Sequence, residues 1–165
     1  DKLNANLKNI DIQELTSMLD YSKIFDSKAN FNLDYDLLTK KGNLLGKLTN
    51  GHLLENNFVT LVNQLVKVEL TKEVYETFDI NTKINDRILT SDLIMKSQNT
   101  QFNIKDSILD LEKNLIDAKI NTTIKDKTLD INLKGETSSP QISIDAKDLL
   151  KEQINKKIEK LINSL

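Results

Sequence analysis

Alternation of apolar and polar side chains dominates the middle of the chain. In SKANFNLDYDL, Ala29, Phe31, Leu33, Tyr35 and Leu37 fall on one side of an extended backbone, and Asn30, Asn32, Asp34 and Asp36 fall on the other, as the period of two in a half-buried strand requires. Phe78, Ile80, Thr82 and Ile84 repeat the pattern, as do Ile116, Ala118, Ile120, Thr122 and Ile124, and then Leu129, Ile131 and Leu133. NLLGKLTNGHLL, RILTSDLIMKS and TQFNIKDSILDLE divide their two faces less cleanly and are read as weaker strands. The connections are short and polar: Asn50-Gly51, Asn85-Asp86-Arg87, Gln98-Asn99-Thr100 and Lys125-Asp126-Lys127. Such spacing predicts hairpins, and so an antiparallel meander with one apolar face.

Three segments carry a helical period instead. In NIDIQELTSMLDY, Asp11 is placed to cap, Glu14 stands three residues on, and Ile10 can pack on Leu15 as a hydrophobic staple. NNFVTLVNQLVKVEL sets Phe58, Leu61, Val62 and Leu65 on one stripe behind Asn56 or Asn57 as cap. Near the end, Gly135 to Pro140 breaks the meander, Ile142 and Ile144 add a short strand, and Asp145 is placed to cap a last helix with Leu150, Ile154, Ile158, Leu161 and Leu165 along one side. At ~1.5 Å per residue that helix would run ~30 Å, about the width of six strands ~4.8 Å apart, so it could lie across the apolar face. Its lysines alternate with Asp148, Glu152 and Glu159, which favours packing on protein over a membrane-surface role.

The expected fold class is therefore α+β: an antiparallel β meander forming a curved sheet with one apolar face, plus about three helices including a C-terminal amphipathic one. One domain spans 1–165, with an N-terminal helix region at 1–25, a curved sheet at 28–144 interrupted by an inserted helix at 56–70, and the final helix at 145–165. At 165 residues a single core is the default.

Composition narrows the function more than it defines it. A formal net charge of −2 supplies no broad basic field, so nucleic acid is not an expected partner. No cysteine is present, which leaves no disulfide, thiolate nucleophile or Cys-based zinc site. No apolar run approaches the ~20 residues of a membrane-spanning helix, and the chain, opening on Asp1 without a leader, is read as a piece cut from a longer one.

Catalytic chemistry finds little support. His52, the one histidine, sits in TNGHLL with no nucleophile motif beside it and is read as a surface histidine next to a turn. Asp34 and Asp36 share a strand face and could bind a cation, but their alternation with Phe31, Leu33 and Tyr35 makes them its solvated side. Gly42, Gly46 and Gly51 have turn or bulge spacing rather than a phosphate-cradling motif. Asn121-Thr122-Thr123 matches a glycosylation acceptor inside a strong strand and carries no weight. The chain is not expected to be an enzyme, and no cofactor or metal is expected.

The order of elements carries a resemblance. NIDIQELTSMLDYSKIFDSKANFNLDYDL, the LTNGHL hairpin before a helix, RILTSDLIMKS, and the closing Gly-x-x-x-x-Pro segment at Gly135 and Pro140 followed by a strand and a charged helix together resemble the C-terminal region of AsmA-like proteins. Glycines common in that family after the first helix and in later turns are replaced here by Ser27-Lys28 and Asp86-Arg87. The resemblance implies a bacterial envelope protein, anchored in the inner membrane by an N-terminal helix absent from this chain. In the periplasm it would carry a curved sheet whose apolar side moves phospholipid toward the outer membrane and serves outer-membrane biogenesis.

The expected ligand is thus a phospholipid or another acyl chain held in an apolar β groove. Phe31, Leu33, Tyr35, Phe78, Ile80, Ile84, Ile116, Ile120, Ile124, Leu129 and Ile131 are the candidate lining, and Ile120→Asp is expected to abolish lipid carriage while leaving an open sheet folded. The alternative is a non-enzymatic structural or protein-interaction module of the envelope with a closed core, docking other envelope proteins through an edge strand or the C-terminal helix.

Overall fold

The computed structural model describes residues 1–19, 21 and 23–145. Nine strands form one sheet in the order of the sequence: β1 Lys2–Asp11, β2 Phe25–Asp36, β3 Lys41–Leu53, β4 Thr77–Asn85, β5 Ile88–Lys96, β6 Thr100–Asp110, β7 Leu115–Ile124, β8 Lys127–Glu136 and β9 Gln141–Asp145. Every neighbouring pair is antiparallel. Helix α1, Ile12–Met18, joins β1 to β2, while α2, Asn57–Val66, and a 3-10 turn at Leu70–Lys72 lie between β3 and β4.

The α+β expectation with about three helices is overturned. The molecule is mostly antiparallel strand, with two α-helices among the described residues, and its sheet is flat and open where a curved one was expected. Each strand pairs only with its neighbours in sequence, so among the described residues β1 and β9 stand at opposite edges and the sheet does not close. Asp145 is the final residue of β9 and stands opposite Asp130, as Asp11 is the final residue of β1, and the N–H groups it was expected to cap lie outside the described residues. The rest of the expected helix, 146–165, lies outside the described residues.

The N-terminal helix region is corrected as well. Leu3, Ala5 and Leu7 alternate with Asn4, Asn6 and Lys8 to make β1, and helix begins only at Ile12. Asp11 does cap it, accepting N–H bonds from Gln13 at 3.0 Å and Glu14 at 3.1 Å. Asn56 caps α2 by accepting from Val59 at 3.0 Å. The side of α2 that is buried carries Val59, Val62 and Val66, whereas Leu65, expected on the apolar stripe, is exposed.

Three bulges explain why parts of the sequence divided poorly into faces. Asn9, Asn50 and Asp106 have positive φ values of 59°, 54° and 50°, and pairing shifts register beside each of them. An extra residue in one strand restores its neighbours to the correct face. Asn50-Gly51 is therefore no hairpin turn but a kink inside the 13-residue β3, and LTNGHL is continuous strand. Leu48, Gly51 and Leu53 all reach the buried side across it.

Two of the hairpins use the same turn chemistry. Asp36 Oδ1 accepts from the N–H groups of Leu38 and Thr39 at 2.9 and 3.1 Å, and Asp110 Oδ1 from those of Glu112 and Lys113 at 3.0 and 2.9 Å. Each loop then passes through a residue with positive φ, Lys40 or Asn114. Asparagine tolerates that region better than most residues. Adjacent turns are tied sideways by backbone bonds: Leu37 N to Asp1 O, Asp86 N to Lys40 O, Leu111 N to Arg87 O and Thr137 N to Asn114 O, all 2.7 to 2.9 Å.

Candidate functional site

Cross-strand register places all eleven candidate residues on one face. Phe31, Gly46, Ile80, Leu93, Ile104, Ile120, Ile131 and Ile144 form one row across β2 to β9. Phe78, Met95, Phe102, Thr122 and Leu129 form the row on one side of it, and Tyr35, Gly42, Ile84, Leu89, Leu109 and Ile116 a row nearer the Asp36 and Asp110 turns. Leu33 and Leu44 lie between the Phe31 row and the Tyr35 row, in line with Thr82 and Ser91, and Ile124 lies beyond Thr122.

The face has two ends with different fates. At one end α2 and the segment after it form a roof, sealing Val59, Val62, Leu70 and Tyr75, each 0% exposed, against Phe25, Leu48, Phe102 and Ile124. The Tyr75 ring centre stands 5.9 Å from that of Phe25 and 6.1 Å from that of Phe102. Ile120, Ile124, Leu129 and Ile131 are no more than 5% exposed and belong to this filled core. Ile120→Asp would therefore bury a charge in the core, so it probes folding rather than a groove.

The other end is bare among the described residues. Leu33, Tyr35, Ile84 and Ile116 are half-buried by their lateral neighbours and join no buried cluster, and Leu3 and Leu7 continue the face to the β1 edge at 44% exposure each. Phe31, Phe78 and Ile80 lie between the two regimes, and Phe31 and Phe78 pack on the margin of the core. Sequence reasoning missed Leu3, Leu44, Leu89 and Leu109 as members of this surface. Leu109 lies beyond the Asp106 bulge, where strict alternation from Ile104 puts it on the wrong side.

Gly42, Gly46 and Gly51, expected as turn or bulge residues, serve chiefly as seats for aromatic rings. A Cβ at Gly42 would collide with the Asp34 carbonyl and approach the Tyr35 ring at 2.9 Å, one at Gly46 would approach the Phe31 ring at 2.7 Å, and one at Gly51 would collide with the Phe25 ring. The three rings of β2 thus pack beside the glycines of β3, a pairing that compensates glycine's lack of side-chain packing in a strand.

The roof is latched by polar groups. Ser97 Oγ donates to Glu73 Oε2 at 2.5 Å, and Asn99 Nδ2 to Glu73 Oε1 at 2.9 Å, fixing the β5–β6 turn to the segment before β4. His52 Nδ1 lies 3.1 Å from the Glu73 carbonyl; a carbonyl accepts only, so that nitrogen carries the proton. Gly51 and Tyr75 exchange backbone bonds of 3.1 and 2.8 Å. Burial works to raise the Glu73 pKa, and the bonds from Ser97 and Asn99 outweigh it, leaving the carboxyl below its ordinary range. Burial pushes the Tyr75 hydroxyl far above its usual value, with the Glu73 charge adding to the effect.

His52 is accordingly a half-buried latch within β3, in place of the surface histidine expected beside a turn. Asp34 and Asp36 do not converge: Asp34 is exposed on the polar side, while Asp36 is occupied by its turn, whose Thr39 and Leu38 N–H groups hold its carboxyl low. Asn121 donates to Asp130 across β7 and β8 at 2.5 Å. No group of three His, Cys, Asp or Glu among the described residues could hold a metal ion. No helix among them is long and apolar enough to cross a membrane.

Comparison with known proteins returns no matching family model, no matching curated protein and no matching solved structure. Nothing in it connects the chain to the AsmA-like family.

Proposed function

We propose that the bare end of the apolar face binds the acyl chains of a lipid. The observation that carries this reading is the contrast along a single face: its α2 end is sealed, while Leu33, Tyr35, Ile84, Leu89, Leu109 and Ile116 present a largely apolar surface, interrupted by the hydrogen-bonded pair Thr82 and Ser91, that no described element covers. Eight strands, β1 to β8, at ~4.8 Å and two rows of side chains give a strip of about 34 by about 14 Å, on the order of 500 Å².

That size discriminates between occupants. It matches the largest patches of a few hundred Å² that soluble proteins keep, which are often functional, and falls below the ~800 Å² per partner of a standard protein interface. A lipid tail spans half of a ~30 Å hydrocarbon core and fits within the strip. Each ~100 Å² of apolar surface covered contributes about 2.5 kcal/mol before the cost of ordering the chain. Arg87 is the single arginine of the sequence, so the surface offers little basis for choosing among head groups. The AsmA-like resemblance supports a periplasmic setting and phospholipid as the ligand; both belong to the proposal. The filled α2 end supports a second reading, a structural module of the envelope without ligand.

The test is native mass spectrometry of the protein purified from bacterial cells, with released lipids identified after denaturation. Leu89→Asp places a charge on the bare end, and a chain ending at Asp145 reports on residues 146–165. Acyl lipid at a fixed ratio, lost in the folded Leu89→Asp variant and kept by the shortened chain, is the expected result. A bare protein, or lipid that Leu89→Asp retains, overturns the proposal.

A further inference from the structure

Strand β1 contains a seven-residue palindrome, Lys2-Leu3-Asn4-Ala5-Asn6-Leu7-Lys8, centred on Ala5. Among the described residues β1 pairs with β2 alone, so its other side is a sheet edge. The Leu37 N–H bonds to the Asp1 carbonyl at 2.9 Å, and Lys2 stands opposite Asp36. Bonding therefore alternates from Asp1: Leu3, Ala5 and Leu7 turn their backbone groups toward β2, and Lys2, Asn4, Asn6 and Lys8 turn theirs toward the open edge. The Asn9 bulge ends this regular stretch just past Lys8.

Such an edge is a template for strand addition, and proteins usually blunt one by keeping it short or adding proline. The opposite edge follows that rule, since β9 has five residues and comes directly after Pro140. By contrast, β1 has ten residues and no proline, its lysines and bulge stand at the two ends of the palindrome, and Leu3 and Leu7 are each 44% exposed on the apolar side.

We propose that β1 pairs antiparallel with the β1 of a second copy of this chain, across a twofold axis at Ala5. The palindrome makes the two strands self-complementary. Leu3 meets Leu7 of the other copy on the apolar side, Asn4 meets Asn6 on the polar side, and Ala5 meets itself. The Asn4 and Asn6 backbone groups, already aimed outward, complete the ladder. The axis runs perpendicular to the sheet, so the two apolar faces join on one side into a single surface of double width. Lys2 and Lys8 also meet across the pair, and facing like charges weaken it. The dimer is therefore concentration-dependent and tightens with added salt, as screening removes the repulsion. This pairing stands apart from lipid binding, because it is read by mass with no lipid present.

The experiment is sedimentation velocity of the whole chain across protein and salt concentrations, with three variants. Asn4→Pro removes an outward N–H and leaves the β1–β2 bonds in place, which proline permits at an edge; it is expected to be monomeric with an unchanged circular dichroism spectrum. Lys8→Glu turns each lysine pair into an ion pair, so its dimer is expected to be several-fold tighter and to weaken with salt. Ala5→Cys adds the only thiol in a chain without cysteine, at a pair whose Cα atoms would stand ~4.5 Å apart, within disulfide range. Mild oxidation is expected to cross-link it quantitatively. A wild-type chain that stays monomeric, a dimer that Asn4→Pro leaves intact, or a Lys8→Glu dimer that is no tighter overturns the pairing. Failure of Ala5→Cys to cross-link in a confirmed dimer overturns the register.

Discussion

Asp92 Oδ1 accepts the Asp106 N–H at 2.8 Å from the neighbouring strand, and so pins the bulge that returns Leu109 to the apolar face. Asp106 has a positive φ, a backbone state that needs support from its surroundings. Replacing Asp92 by Ala removes a charge-assisted bond, and a cost of about 1 kcal/mol is expected at this exposed position. Urea unfolding should report the loss, and amide exchange at Ile108 and Leu109 should quicken more than at Ile120.

Gly46 lies under Phe31 and beside Ile80, and a Cβ there would collide with the Ile80 side chain. Gly46→Ala is expected to destabilise the fold by about 1–3 kcal/mol through overpacking, although Ala is the better strand residue in isolation. Combining it with Phe31→Leu should recover part of the loss, because the side chain over the glycine is smaller. Thermal unfolding of the single and double variants checks this.

The two ends of the apolar face should respond differently to truncation. Leu70 is 0% exposed beneath the roof, and Leu70→Ala is expected to cost about 2–5 kcal/mol. Leu3 is 44% exposed on the bare end, and Leu3→Ala should cost less than about 1 kcal/mol. Equal effects in chemical denaturation would contradict the division into a sealed and a bare end.

Glu73 gives the molecule an acid-sensitive latch. Its carboxyl lies below the ordinary value of 4.5 in the folded state. The stability it adds is complete above that value and is lost as pH falls through it toward the folded pKa. Asp36 and Asp110, also held low by turn N–H groups, act in the same direction. Glu73→Gln is expected to be less stable than the parent at neutral pH and to show a shallower loss below pH 4.5, measured as unfolding midpoint against pH.

Much of the sheet was legible because most strands alternate cleanly, and Phe31 to Tyr35 or Ile116 to Ile124 need no knowledge of their neighbours to be assigned a face. What stayed hidden depends on single residues that break the count. Asn9, Asn50 and Asp106 each insert one position, which disguised β1 as part of a helical region, split β3 into a false hairpin and blurred β6. The membership of the candidate surface was largely readable, since burial on one face follows from period two. Its division into a filled and a bare end was not, because that depends on where α2 and Tyr75 land, and a roof is a long-range contact that periodicity cannot encode. The short strand at Ile142 and Ile144 was legible from its own period of two, and it pairs in register with Leu133 and Ile131 of β8.

The strictly sequential strand order has a consequence for how the molecule comes apart. Each strand holds only its chain neighbours, as in a stack of repeats whose stability passes from one unit to the next. Among the described residues only the roof reaches across several of them, gathering residues of β2, β3, β5, β6, β7 and β8 into one cluster. The chain is therefore a zipper with a clasp near one end of its teeth: β1 can peel away from its side while the clasped strands stay closed, and loss of the clasp releases most of the sheet together.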